Sequence, residues 1–194
     1  MLVRALVPAL LLALPGLLVA QDARLSERLD QGTATSVQRV VDSAKQSGLP
    51  TEPLIQKALE GGTLGASGER ILAAVETLRG QLGRAREALG RNATEAELTT
   101  AAGALRAGLP PNALQRLQSL RGDRPLVVPL AVLADLVAEG MPPDQATQSV
   151  LDLARDGRPD DEFVALRRQV QVQRRGGPAV RPALRPAADP PVDR

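Results

Sequence analysis

Few residues in this sequence have both the types and the spacing that catalysis would need. Ser43 lies two residues before Lys45, one of the two lysines in the chain, and could form a serine–lysine dyad with it. On a helix, side chains two residues apart point to different faces, so we do not expect a dyad. The acids from Asp160 to Glu162 could supply paired carboxylates for glycoside hydrolysis. Their place at the start of a predicted helix is better explained by the helix dipole.

Histidine and cysteine are both absent, and their absence removes most common catalytic and metal-binding chemistry. A classical serine triad needs histidine, and zinc, copper and haem sites lose their usual ligands. The acidic segment 156–162 lacks the ligand pattern of an EF-hand loop, and no phosphate-binding loop is present. We therefore expect no cofactor, no metal and no enzymatic activity. A small envelope-associated enzyme is the remote alternative.

The composition also disfavours nucleic-acid binding. Phe163 is the only aromatic residue, whereas proteins that bind single strands stack bases on aromatic rings. The net charge is +2, and residues 21–170 contain slightly more acids than bases, so they have no basic excess for phosphate contacts.

The N-terminal residues 1–20 have the pattern of a secretory signal peptide. Arg4 provides a short positive region, an apolar stretch follows over 5–14, and Ala20 is a small residue before a cleavage point. We expect export to a periplasm or to the outside of the cell. A retained membrane anchor is the alternative, although the apolar stretch is of marginal length for a span.

Apolar residues recur at helical spacing from about residue 21 to residue 173, which predicts an all-α domain. Thr94 and Glu97 have the spacing of a capping box, and Thr51 and Ser67 are candidate N-caps. The predicted helices cover residues 35–47, 52–60, 68–89, 95–107, 111–121, 127–139, 143–155 and 159–173, with a further helix near 23–31.

Tight Gly-x-Pro corners are predicted to join these helices. Glycine can end a helix in the left-handed conformation, the next apolar residue packs back, and proline begins a new first turn. The corners are Gly48-Leu49-Pro50, Gly108-Leu109-Pro110 and Gly140-Met141-Pro142, with Gly157-Arg158-Pro159 as a weaker copy. Their uneven spacing favours an irregular orthogonal bundle of short helices, with a short α-solenoid-like array as the alternative.

The longest predicted helix contains a heptad seam across about three heptads. The main interpretation is a central helix that packs within the fold, and the alternative is a structural homo-oligomer through this seam. The seam residues are Ile71, Val75, Leu78, Leu82, Ala85 and Leu89.

Residues 174–194 are rich in proline, glycine, alanine and arginine, which predicts a disordered tail. Its candidate partner contacts are Arg174, Arg175, Arg181 and Arg185. Together these features predict an exported, non-enzymatic helical interaction or scaffold protein. Its partner would be another envelope or extracellular protein, or a second copy of itself. Membrane contact is expected only through the signal segment or the cationic tail.

Overall fold

The computed structural model describes residues 22–175, and in this range every regular element is an α-helix. The all-α prediction is therefore confirmed. The predicted signal segment 1–20 lies outside the described residues, as do residues 176–194. The nine helices of this described range are α1 (Ala23–Arg28), α2 (Gln31–Gln46), α3 (Glu52–Thr63), α4 (Gly68–Leu89), α5 (Glu95–Arg106), α6 (Pro111–Arg121), α7 (Val127–Ala138), α8 (Pro143–Arg155) and α9 (Asp160–Arg175).

Most helix ends lie close to their predicted positions, and the local capping residues explain the differences. Helix α2 begins earlier than predicted because the carboxylate of Asp30 accepts a hydrogen bond from the backbone N–H of Thr33. The capping box of Thr94 and Glu97 is confirmed. The predictions for Thr51 and Ser67 are wrong in part, because neither side chain makes a capping hydrogen bond.

The four predicted corners are all formed, and each glycine has a positive φ. At Gly108, with φ of 97°, the N–H of Leu109 donates to the carbonyl of Ala104 at 3.2 Å. This bond closes a Schellman motif, and the same bond recurs at the other corners. A fifth corner with the same bond forms at Gly65-Ala66, where Ser67 stands in the place that proline takes at the other corners.

The helices are arranged so that every substantial contact joins helices one or two places apart in the chain. Helices α2, α4, α6 and α8 pack side by side in sequence order, and we call them the even layer. On the odd-numbered side, α5 packs against α7 and α7 against α9. This short-range order is typical of stacked helical arrays.

Small aliphatic side chains fill the space between the helices, together with the buried ring of Phe163. Helix α4 is central, since it contacts α2, α3, α5 and α6. Among residues 22–175, no helix combines the length and the apolar character that a membrane span requires.

Candidate functional site

A cleft with a volume of about 440 Å³ lies between α6 and α8 in the even layer. Leu120 and Leu151 form its apolar part, and Arg116 and Arg155 supply its charge. Amide and hydroxyl side chains complete the lining, namely Asn112, Gln115, Ser119 and Gln148. The cleft therefore combines aliphatic surface, hydrogen-bonding groups and positive charge.

A second cleft of about 260 Å³ lies between α2 and α4 and has a similar lining. Val40 and Leu72 are its aliphatic residues, and Arg39 and Arg79 again come one from each helix. Glu76 is the acidic residue in this lining. The groove continues toward the N-terminal ends of both helices, where Asp30 and Glu69 make it acidic.

Each helix of the even layer thus contributes one arginine to a groove. We call Arg39, Arg79, Arg116 and Arg155 the arginine row. Arg155 pairs with Asp152, whereas the other three form no ion pair with any residue that the structure describes. Arg39 donates only to the hydroxyl of Ser36 at 2.9 Å. Three guanidinium groups therefore remain available to an external carboxylate.

Glu97 lies in a separate cleft, but both oxygens of its carboxylate accept hydrogen bonds from residues of the fold. One oxygen accepts from the N–H and the hydroxyl of Thr94, and the other accepts from the N–H of Leu126 at 2.9 Å. A single side chain thus caps α5 and fixes the residue that precedes α7. Burial raises the pKa of Glu97, but these hydrogen bonds outweigh burial and leave the pKa below its usual value.

The most deeply buried charge among residues 22–175 belongs to Arg121, which is 5% exposed. Its Nη2 donates to the carboxylate of Asp160 at 2.7 Å and to the carbonyl of Pro125 at 2.9 Å. Its Nε and Nη1 have no hydrogen-bond partner. Arg121 lines neither of the grooves above nor the cleft of Glu97. It connects the end of α6 to the start of α9.

Two of the arginines predicted to contact a partner from the tail lie in a helix instead. Arg174 and Arg175 were predicted to begin the tail, but they lie in the last turn of α9. Arginine is a good helix former, and Gly176 is the first helix breaker in this part of the sequence. The guanidinium of Arg174 lies close to Gly140 at a helix corner. Arg181 and Arg185 lie outside the described residues.

The heptad seam on α4 is buried against the neighbouring helices of the same chain. Ile71, Val75, Leu82 and Leu89 are at most 4% exposed, and Leu78 is partly buried against the core. A dimer formed through these residues would require α4 to leave its neighbours. The seam residues therefore serve packing inside the fold.

Asp160, one of the carboxylates considered for catalysis, is engaged by Arg121. Within residues 22–175, no cluster of three or more acidic residues is arranged to hold a metal ion. Comparison with known proteins found no matching family model, no similar curated protein and no similar solved structure.

Proposed function

We propose that this chain is an exported, non-enzymatic interaction or scaffold protein that binds another envelope or extracellular protein. The observation that carries the proposal is the pair of grooves in the even layer, each with aliphatic, amide or hydroxyl, and arginine side chains. Such mixed surfaces suit protein partners, which offer peptide groups and side chains together. Glu97 and Arg121 are engaged inside the fold, where they hold helices together.

The even layer supplies the main contact in this proposal, and the cationic tail adds a second one. The sequence pattern of residues 1–20 supports the export part of the proposal. The homo-oligomer alternative would need a surface other than the heptad seam, because the seam is buried.

Site-specific photo-crosslinking tests this proposal. One version of the chain carries a photoreactive residue at Gln148, in the α6–α8 groove, and a control version carries it at Thr99, an exposed position on α5. Both are exposed to light in an extract of the native cell envelope. We expect a discrete crosslinked protein from position 148 and none from position 99.

A version that ends after Arg175 separates the helical body from the tail. Crosslinking from position 148 that survives this truncation would assign binding to the helices. If neither position captures a protein and light scattering shows a monomer, the interaction proposal is wrong.

A further inference from the structure

We propose that residues 186–193 of the predicted tail bind in the α6–α8 groove of the same chain, so that a partner must displace them to bind there. This inference rests on the proposed function, since it adds regulation to a groove assigned to the partner. Arg116 is exposed and forms no ion pair with a described residue, so it is the main attractive charge in the groove.

The described chain ends close to the start of α8. Arg167 of α9 donates to Asp135 of α7 at 2.8 Å. Two turns later, the guanidinium of Arg174 lies beside Gly140, at the corner that follows α7. Helix α9 therefore runs parallel to α7 and ends near the corner from which α8 begins. The chain passes out of the described range at the N-terminal end of α8.

The groove opens at this same end of the array. Arg124, just after α6, donates to the carbonyl of Gly157, just after α8, at 3.1 Å. Helices α6 and α8 pack together and end side by side, so they run parallel and their first turns also lie together. Asn112 in the first turn of α6 lines the groove there.

The tail is long enough to reach the groove. Gln148, the first groove residue on α8, lies about 7.5 Å along the helix axis from Pro143, and crossing the helix adds about 10 Å. Residues 176–185 can span about 31 Å, because a polyproline-like chain advances about 3.1 Å per residue. Residues 186–193 are therefore within reach.

The charge of this groove is opposite to that of the segment. Among the described residues that line it, Arg116 and Arg155 are basic and none is acidic. Asp152 pairs with Arg155, so a positive charge remains at Arg116. Residues 186–193 contain Asp189 and Asp193 and no basic residue. The groove and the segment therefore attract each other.

The polar lining also suits a proline-rich segment. Three of residues 186–193 are prolines, and each has a carbonyl but no backbone N–H. Such a segment presents more acceptors than donors, and the exposed amide groups of Asn112 and Gln115 can donate to them. Leu120, which is partly exposed, offers apolar contact to the proline rings and to Val192.

The α2–α4 groove is a poor site for the same segment. Glu76 lines this groove, and Asp30 and Glu69 line its continuation. These three acids outnumber the two arginines of the groove and repel an acidic segment. Helix α2 is also separated from α8 by α4 and α6 in the even layer.

Photo-crosslinking of the purified chain from Gln21 to Arg194 tests the inference without any partner. The photoreactive residue replaces Gln148 in the groove, and a control chain carries it at Thr99, an exposed position on α5. Mass spectrometry of the digested protein identifies the crosslinked segment. We expect crosslinks from position 148 to residues 186–193 and no such crosslink from position 99.

Charge variants of the chain with the photoreactive residue at position 148 test the ion pairing. Arg116→Gln, and Asp189→Asn with Asp193→Asn, should each lower the yield of this crosslink up to about threefold, because exposed ion pairs change an equilibrium a few-fold. Higher salt should lower it as well. Arg106→Gln, at an exposed position on α5, should leave the yield at the parent level. Thermal unfolding verifies that each variant folds.

The regulatory part is tested in an extract of the native cell envelope. The variant with Asp189→Asn and Asp193→Asn should capture more partner protein from position 148 than the parent chain, because its competing segment binds more weakly. Unchanged or reduced capture would show that the segment does not control access to the groove, and would overturn the inference.

The inference is also overturned if position 148 gives no crosslink to residues 186–193, or if position 99 gives an equal yield. An equal loss in Arg106→Gln would show general charge attraction and overturn it. Crosslinked dimers in place of the intrachain product would assign the segment to a second copy. If the intrachain crosslink fails while position 148 still captures an envelope protein, only this inference is wrong. If both fail, the proposed function is wrong as well.

Discussion

The guanidinium carbon of Arg121 lies 5.3 Å from the ring centroid of Phe163, the only aromatic side chain in the protein. Both side chains are buried, and the guanidinium also contacts Asp160 at the start of α9. The aromatic face and the carboxylate together stabilise the guanidinium charge, although the Nε and Nη1 atoms of Arg121 have no hydrogen-bond partner.

Removal of Asp160 is expected to destabilise the fold more than removal of Arg121. Asp160→Ala leaves a buried charge without its carboxylate and should lower the free energy of unfolding by about 1–3 kcal/mol. Arg121→Met removes the charge and its unpaired N–H groups and should cost less. Denaturant unfolding measures both, and Asp161→Ala controls for the helix dipole. A larger loss in Arg121→Met would contradict this account.

Glu97→Gln is expected to loosen the start of both α5 and α7. A glutamine has one carbonyl oxygen, so it cannot accept from Thr94 and Leu126 as the carboxylate does. We expect a loss of about 1–2 kcal/mol in unfolding free energy at pH 7. Glu95→Gln, an exposed change in the same first turn, should stay within about 0.5 kcal/mol.

The Glu97 effect should also depend on pH. Because the folded-state pKa of Glu97 is lowered, its contribution is present above the unfolded value of about 4.3 and is lost as the pH falls through the folded pKa. The difference between wild type and Glu97→Gln should therefore shrink in acid. A difference that stays constant from pH 7 to pH 2 would show that the carboxylate charge is not involved.

Two glycines near the end of α5 should respond in opposite directions to the same substitution. Gly103 is helical and a Cβ there would meet no atom within 4 Å, so Gly103→Ala should add up to about 1 kcal/mol of stability. Gly108 has φ of 97°, so Gly108→Ala should remove about 1–2 kcal/mol. Differential scanning calorimetry compares the two melting temperatures. Equal shifts would contradict the role assigned to the Gly-x-Pro corners.

Arg24 binds Glu52 through two hydrogen bonds of 2.9 Å and thereby links α1 to α3. These bonds, with help from Gln56, lower the pKa of Glu52 to about 2. Arg24→Gln should return the Glu52 titration midpoint toward about 4.3 in carboxyl NMR. Arg28→Gln, a change on the same helix, should leave the midpoint near its wild-type value. An unchanged midpoint in Arg24→Gln would exclude this ion pair in solution.

The helix corners could be predicted from the sequence because each Schellman motif involves residues within six positions of one another. The contacts of Arg121 with Asp160 and of Glu97 with Leu126 could not, because they join residues 39 and 29 positions apart. Such pairs depend on how separate helices pack, which local patterns do not specify.

The members of the arginine row are nearly evenly spaced in the sequence. Its members lie at positions 39, 79, 116 and 155, so the steps are 40, 37 and 39 residues. That interval is close to one pair of helices with its connections. The spacing of these arginines is more regular than that of the glycine corners.

The restriction of contacts to helices one or two places apart also determines how the chain folds and opens. Low sequence separation between contacting residues is associated with rapid folding, since little loop entropy is lost before contacts form. Helix α1 contacts only α2 and α3 substantially, and α9 only α7 and α8, so each end can detach without disturbing the middle. Amide hydrogens should therefore exchange fastest at both ends of the array and slowest around α4, in a gradient along the chain.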